Sequence, residues 1–209
     1  PDQRQTVELV ERYKNEVRFL IAYYYSRMLE VYGPFPLITS LMDVNDSGEV
    51  LKKERTPYDE IVNYLDNEFM ELSKILPSSY DNVNIGRSGA CLALRARMLM
   101  FAASPLFNGN EDFKDVVNKD GTPLFSQSKD NKKWEKAAVA AKLVIDLPEY
   151  DLYKEYLEDG SIDALMSCTN LYLTTTEQNP EIIMAFPGKT SSLYEYHLMP
   201  RKSGFAGCI

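Results

Sequence analysis

The stretch RFLIAYYYSRMLEVYGPFPLITS, residues 18–40, joins an apolar helical pattern to an abrupt stop. Upstream of the stop, apolar residues recur with a period near 3.6, which predicts one amphipathic helix from Thr6 to Tyr32. Gly33 followed by Pro34 ends that helix. The apolar stripe of the predicted helix consists of two neighbouring rows: Val10, Val17, Tyr24 and Val31, then Tyr13, Leu20, Ile21 and Met28.

Three consecutive tyrosines, Tyr23, Tyr24 and Tyr25, stand in the middle of this stretch. They could form an aromatic platform for a ligand or pack inside the protein. Consecutive helical residues point about 100° apart, so the three rings fan around the axis. A sugar-stacking platform needs rings exposed together on one face. The spacing therefore favours packing between helices, with the hydroxyls finding polar partners at the edges.

Three further helices follow along the chain. Thr56 as N-cap and Pro57 at the first position predict a helix to residue 76, with a buried stripe that includes Leu65 and Phe69. An Ala-rich helix, expected to be mostly buried, covers about 88–104, and a fourth covers about 132–147. A short helix over 151–158 and a strand or extended segment over 181–187 are also expected.

These elements predict a mainly α fold made of tetratricopeptide-like helix pairs with long irregular insertions. Residues 6–32 pair with 57–76, and 88–104 pair with 132–147. In the fourth helix Trp134 is followed by three alanines at helical spacing, a large-then-small pattern typical of helical hairpins. Trp134 could alternatively stack on a sugar, but its position favours the structural role.

The composition excludes several classes of function. The 209 residues carry a formal net charge of −8, which argues against a nucleic-acid partner. No run of 18 apolar residues is present. The three cysteines are too few and too scattered for a disulfide framework or a zinc site. With His197 as the only histidine and no nucleophile motif, catalysis has no support, and no enzyme is expected.

A calcium pattern occurs in DVNDSGEVLKKE, residues 43–54. Asp43, Asn45, Ser47 and Glu54 occupy positions 1, 3, 5 and 12 of an EF-hand loop, where oxygen ligands would suit a hard cation. Pro34 and Pro36 remove the helix that should enter such a loop. Two readings stay open: a solvated acidic loop without a cofactor, or a calcium site. Calorimetric titration with calcium separates them, and no heat at millimolar calcium would exclude the metal.

The tail GKTSSLYEYHLMPRKSGFAGCI, residues 188–209, is the most plausible ligand-binding region. Tyr194, Tyr196, His197 and Phe205 lie among Gly, Ser and Pro without a helical period, and aromatic residues on loops often carry recognition. If the segment is extended, alternation places Tyr194 and Tyr196 on one side. The alternative is that these aromatics pack against other parts of the protein.

Five segments in order together resemble the SusD/RagB family. They are residues 18–39, 56–77, 86–104, 132–146 and 179–186. The first is similar to the family's Arg-Phe-Leu-x-Ala-Tyr helix, which ends in Tyr/Phe-Gly-x-Pro-Leu. The fourth, KKWEKAAVAAKLVID, resembles its Trp-x-x-Ala-Ala helix. The matching residues of the first segment are Arg18, Phe19, Leu20, Ala22, Tyr23, Tyr32, Gly33, Phe35, Pro36 and Leu37.

The resemblance implies a SusD-like α-α superhelix. Residues 1–209 would form part of one SusD-like domain, with a helical-pair core at about 6–147 and a loop-rich segment at about 148–209. It implies a longer parent, with a lipidated N-terminus before Pro1 and a second half after Ile209. We therefore expect the chain to need these missing parts for a stable core.

The resemblance also implies a function. Such a protein would be a non-enzymatic, surface-exposed lipoprotein of the Bacteroidetes outer membrane, held there only by its lipid anchor. It would bind an oligosaccharide or other nutrient and deliver it to a SusC-type TonB-dependent transporter. The alternative is a helical-repeat scaffold that binds only protein partners.

Overall fold

A computed structural model of the chain describes residues 3–41, 48, 52–78, 87–174 and 179–185. The described residues are mainly helical, as predicted. The helices are α1 (Gln3–Tyr32), α2 (Tyr58–Ile75), α3 (Ser88–Ala103), α4 (Lys132–Ile145) and α5 (Ala164–Leu173). A short 3-10 helix covers Glu111–Phe113, and an antiparallel ribbon joins β1 (Glu155–Tyr156) to β2 (Ile162–Asp163).

The first four helices pack in the order in which they follow one another along the chain. α1 lies on α2, α2 on α3 and α3 on α4, and α1 also touches α3. This succession of neighbouring helices confirms the predicted helix-pair architecture. α3 is therefore enclosed on both sides, which explains its Ala-rich sequence. Cys91 on α3 is fully buried, and burial raises the pKa of its thiol to about 12, as expected for a small core residue.

The second helix has the predicted buried stripe. Ile61, Leu65, Phe69 and Leu72 are all buried without exposed surface, at the i, i+4, i+8, i+11 spacing of one helical face. The start of the helix differs from the prediction, because Thr56 does not cap it. The Thr56 hydroxyl instead accepts a hydrogen bond from the backbone N–H of Leu37 at 3.2 Å. Thr56 thus joins the chain before α2 to the segment that leaves α1.

The first helix buries a different face from the one that its apolar stripe indicates. All eight residues of the stripe are between 36% and 68% exposed. The buried positions are Phe19, Ala22, Ser26 and Leu29. Phe19 and Val17 lie two positions apart, which is about 200° around the axis, so the buried face is roughly opposite the stripe. The helix is apolar on both sides, and no element of the described residues covers the stripe.

The exit from α1 explains most of the opening stretch. Gly33 has a φ of +66°, and its N–H donates to the carbonyl of Leu29 at 3.1 Å, which closes the helix in the left-handed conformation that glycine tolerates. The next residues turn back into the core, where Phe35 is buried. Tyr25 stacks on Phe35 with ring centroids 5.5 Å apart and donates to the carbonyl of Ile38 at 2.6 Å. Packing was thus the right interpretation for Tyr25 and the wrong one for Tyr24, which is 62% exposed.

The long insertion between α3 and α4 belongs to the core. Phe107 stacks on Tyr58 of α2 with centroids 4.4 Å apart, and Phe113 stacks on Phe125 at 4.6 Å. The backbone N–H of Tyr58 donates to the carbonyl of Leu124 at 2.9 Å. The insertion therefore fixes the start of α2 and holds its own two ends together.

The segment after α4 differs from the sequence-based expectation in two places. Residues 151–158 form no helix, because residues 155–163 fold back as the β1–β2 hairpin around Gly160, whose φ is +81°. Residues 181–185 form no strand, and residues 186–187 lie outside the described part. The unpredicted helix α5 follows the hairpin, capped by the Asp163 carboxylate, which accepts from the N–H of Met166 at 2.9 Å.

Candidate functional site

Most of the sequence-predicted site residues lie outside the described part of the chain. This holds for the four tail residues, Tyr194, Tyr196, His197 and Phe205, and for the calcium-pattern residues Asp43, Asn45 and Ser47. Both assignments therefore stay predictions. Glu54 alone is described, and its exposed side chain lines a surface cleft.

This cleft, which we call the cationic cleft, separates two short segments. Residues 52–55 form one wall and residues 117–119 form the other. Its volume is about 380 Å³, within the range of sites that bind small molecules. The first wall leads directly into α2, and the second belongs to the insertion between α3 and α4.

Hydrogen bonds hold the two walls in place. The side-chain amide of Asn118 donates to the carbonyl of Arg55 at 2.8 Å and so links the walls directly. The N–H of Asn118 donates to the carbonyl of Thr122 at 2.9 Å. At the tip of this turn the Asp120 carboxylate accepts from both the N–H and the hydroxyl of Thr122, and these bonds lower the pKa of Asp120. The cleft therefore has a defined backbone frame.

The side chains of the cleft carry an excess of positive charge. Lys52, Lys53, Arg55 and Lys119 line it, against the single carboxylate of Glu54. The Lys53 ammonium donates to the carbonyl of Leu37 at 2.5 Å, so it is held by the backbone. Within the described residues, the other three cations form no ion pair. This local excess contrasts with the negative charge of the whole chain.

A second cleft, between α2 and α4, also contains lysines but is electrically balanced. Its volume is about 320 Å³. Lys133 pairs with Asp59 at 2.6 Å, and Lys136 pairs with Asp66 at 2.6 Å. Because two of its three lysines are bound to carboxylates, this cleft has little charge left for a ligand.

A third depression, of about 410 Å³, lies between α3 and α4 beside the only tryptophan. Trp134 is 43% exposed, and four of the six other residues that line the depression are alanines, three of them on α4. The charged group at the edge, Arg97, already donates to Glu30 at 3.0 Å. A sugar needs polar partners as well as a stacking face, so this groove has only half of what a glycan site requires.

Metal-binding and membrane-crossing features are absent from the part of the chain that the structure describes. No three side chains of His, Cys, Asp or Glu there lie close enough together to hold an ion. Glu54, the described member of the calcium pattern, shares its cleft with four cations, which would repel Ca²⁺. No described helix is both long and apolar enough to span a bilayer.

No family model and no curated protein matches the chain, whereas solved structures do. The protein BT4246 superposes with a TM-score of 0.76 and 25% identity over 91% of this chain and 36% of its own. A SusD-like protein from Bacteroides fragilis gives 0.58 at 21% identity, over 88% of this chain and 28% of its own. A SusD homologue from Bacteroides thetaiotaomicron superposes with a TM-score of 0.52 and 21% identity, over 71% of this chain and 24% of its own. The chain thus spans about a third of the length of BT4246 and less of the other two.

Proposed function

We propose that this chain, which has a SusD-like fold, is part of a non-enzymatic protein that binds glycans or related nutrients at the cell surface. The observation that carries the proposal is the structural match to BT4246 over 91% of the chain, together with matches to SusD-like proteins. The five sequence segments that resemble the SusD/RagB family point the same way. A fold alone does not define a ligand, so the proposal has to be tested by binding.

The finer part of the proposal concerns location and partner. The protein would sit on the outer membrane through a lipid anchor that precedes this chain, and it would pass its ligand to a SusC-type TonB-dependent transporter. The support is the family resemblance of the sequence. Because the chain spans 36% of BT4246, these properties of a whole protein stay proposals.

Glycan binding without cleavage is the first expected result. In native gels that contain one polysaccharide each, the protein at its natural length should migrate more slowly with at least one of them, since binding to the immobile polymer retards it. A reducing-end assay on the same mixtures should show no new ends. A non-binding protein of similar size and charge is the control. New reducing ends would identify an enzyme instead.

The alternative, a scaffold that binds only protein partners, makes the opposite prediction in these gels. One observation favours it: the apolar stripe of α1 is exposed, and such surfaces are common where proteins meet. A scaffold would show no retardation with any polysaccharide. The same gels therefore distinguish the two functions.

A transporter partner is the second expected result. When the protein is purified from outer membranes solubilised in mild detergent, a TonB-dependent transporter should be the main co-purifying protein. The same purification of an unrelated outer-membrane protein controls for general membrane recovery. If purification from cells grown on the bound glycan yields no such transporter, the proposed partnership is wrong.

The proposed ligand contacts in the tail and the calcium pattern can be tested separately. Replacing Tyr194 and Tyr196 with alanine should weaken binding to the retarding polysaccharide if these rings stack on sugar.

A calcium site over residues 43–54 requires heat on titration with calcium, and this heat should disappear in Glu54→Gln. Unchanged binding in the first test, or no heat in the second, would contradict the respective assignment.

A further inference from the structure

The strongest unexplained feature of the molecule is the concentration of positive charge in the cationic cleft. Three of its four cations, Lys52, Arg55 and Lys119, have no carboxylate partner among the described residues, although the chain has 31 acidic side chains and 23 basic ones. By contrast, three of the four lysines of α4, Lys133, Lys136 and Lys142, pair with carboxylates. The cleft therefore gathers at one place three cations that have no carboxylate partner among the described residues.

We propose that the cationic cleft binds the anionic group, a carboxylate or a sulfate ester, of an acidic saccharide. The proposal rests on the proposed glycan-binding function and narrows its ligand class. Arg55 provides planar paired donors that fit both groups, and Lys52 and Lys119 provide flexible ammonium donors from opposite walls.

The frame of the cleft suits a small polar ligand. Its volume of about 380 Å³ is large enough for a charged group of a saccharide and the atoms around it. The hydrogen bonds of Asn118 fix the distance between the walls before any ligand arrives, which reduces the loss of entropy on binding. A long nucleic acid is disfavoured because the rest of the chain is negative.

Charge also explains why the ligand should be anionic rather than neutral. Neutral sugars are held by stacking on aromatic rings and by uncharged hydrogen bonds, and none of the described residues that line the cleft is aromatic. Unpaired ammonium and guanidinium groups on an open cleft attract anions and hydrogen-bond them more strongly than neutral groups. The binding should therefore weaken as salt is added.

The test compares two triple variants of the protein at its natural length. Lys52→Gln/Arg55→Gln/Lys119→Gln removes the three cations that have no carboxylate partner among the described residues, but keeps Lys53, whose contact with Leu37 is structural. The control, Lys74→Gln/Lys114→Gln/Lys142→Gln, also removes three exposed positive charges, all of them outside the cleft. Both variants thus have the same net charge, and circular dichroism checks that both are folded.

Calorimetric titrations then use three probes: trigalacturonate for the carboxylate, a sulfated chondroitin tetrasaccharide for the sulfate ester, and maltotriose as the neutral sugar. We expect at least one acidic probe to bind, and the one that binds identifies the anionic group. The Kd of that acidic probe should rise about tenfold or more in the cleft variant, because several charged hydrogen bonds are lost. In the control variant the Kd should change by less than about twofold.

Three results would overturn the proposal. An equal loss of affinity for the acidic probe in both variants would show that binding depends only on the net charge of the protein. An unchanged Kd in the cleft variant would place the acidic ligand elsewhere. Binding of maltotriose or a neutral polysaccharide alone would refute the ligand class but leave the glycan-binding function standing, whereas failure of every glycan, in these titrations and in the gels, would refute both.

Discussion

Replacing Asp66 with alanine is expected to lower the free energy of unfolding by about 3–5 kcal/mol, because it leaves a buried positive charge without its partner. Asp66 and Arg95 are 7% and 8% exposed, and the Arg95 Nε lies 2.6 Å from the carboxylate. The other carboxylate oxygen accepts from the Lys136 ammonium at 2.6 Å. Asp66 thus joins α2 to both α3 and α4, so the loss should appear in urea unfolding of the protein at its natural length, followed by circular dichroism.

A second ion pair on the same helix provides the matched control. Glu71 pairs with Arg18 at 3.3 Å, but its side chain is 64% exposed. Glu71→Ala should cost less than about 1 kcal/mol, as is usual for exposed pairs. Removing both buried charges in Asp66→Leu/Arg95→Met should recover much of the lost stability. A cost below about 1 kcal/mol for Asp66→Ala, or no recovery in the double variant, would contradict the assigned role.

The second large effect concerns the orientation of α1. Phe19→Ala should lower the free energy of unfolding by about 3–5 kcal/mol, since it leaves a cavity at a core residue that is 1% exposed. Val17, two positions earlier, is 53% exposed. Val17→Ala should therefore change stability by no more than about 0.5 kcal/mol. Urea unfolding of the two variants, both made in the protein at its natural length, measures both effects under the same conditions.

Other relative costs of Phe19→Ala and Val17→Ala would contradict this orientation of α1. If Val17→Ala were the costly change and Phe19→Ala the mild one, the apolar stripe would be the buried face of α1. If both were costly, the stripe would be covered as well, and an element outside the described residues would have to pack on it. Equal and small effects would mean that α1 contributes little to the core.

Local signals in the sequence predicted the helices well. The Gly33-Pro34 stop closes α1 at Tyr32 because only a few residue types tolerate the left-handed turn that follows. The stripe of α2 predicted its buried face because that helix is polar on its other side. In α1 the same reasoning indicated the wrong face. Periodicity reports that a face is apolar, but it does not report which of two apolar faces meets a neighbour.

Contacts between distant segments were not predictable in this way. Thr56 looks like an N-cap in the sequence, yet its hydroxyl binds the backbone of Leu37, and no local pattern encodes that pairing. Stacking of Phe107 on Tyr58 likewise depends on how a long insertion folds back onto α2. The helix α5 was missed because its start is signalled only by Asp163 and the preceding hairpin.

The cationic cleft was likewise not predictable from local sequence patterns. Its walls, residues 52–55 and 117–119, are more than sixty positions apart, and only the folded chain brings them together. The basic residues Lys52, Lys53 and Arg55 are visible in the sequence, but there they only lie within or directly after the end of the calcium pattern and indicate no anion site. The family resemblance predicted the class of function and gave no ligand residues.

The most direct test of the proposed function is a calorimetric titration of the protein, at its natural length, with an oligosaccharide cut from a polysaccharide that retards it in gels. The proposed function predicts a saturable heat at one ligand per protein and full recovery of the uncut oligosaccharide. Absence of a saturable heat, or recovery of cleaved sugar, would contradict the claim that this SusD-like chain belongs to a glycan-binding protein.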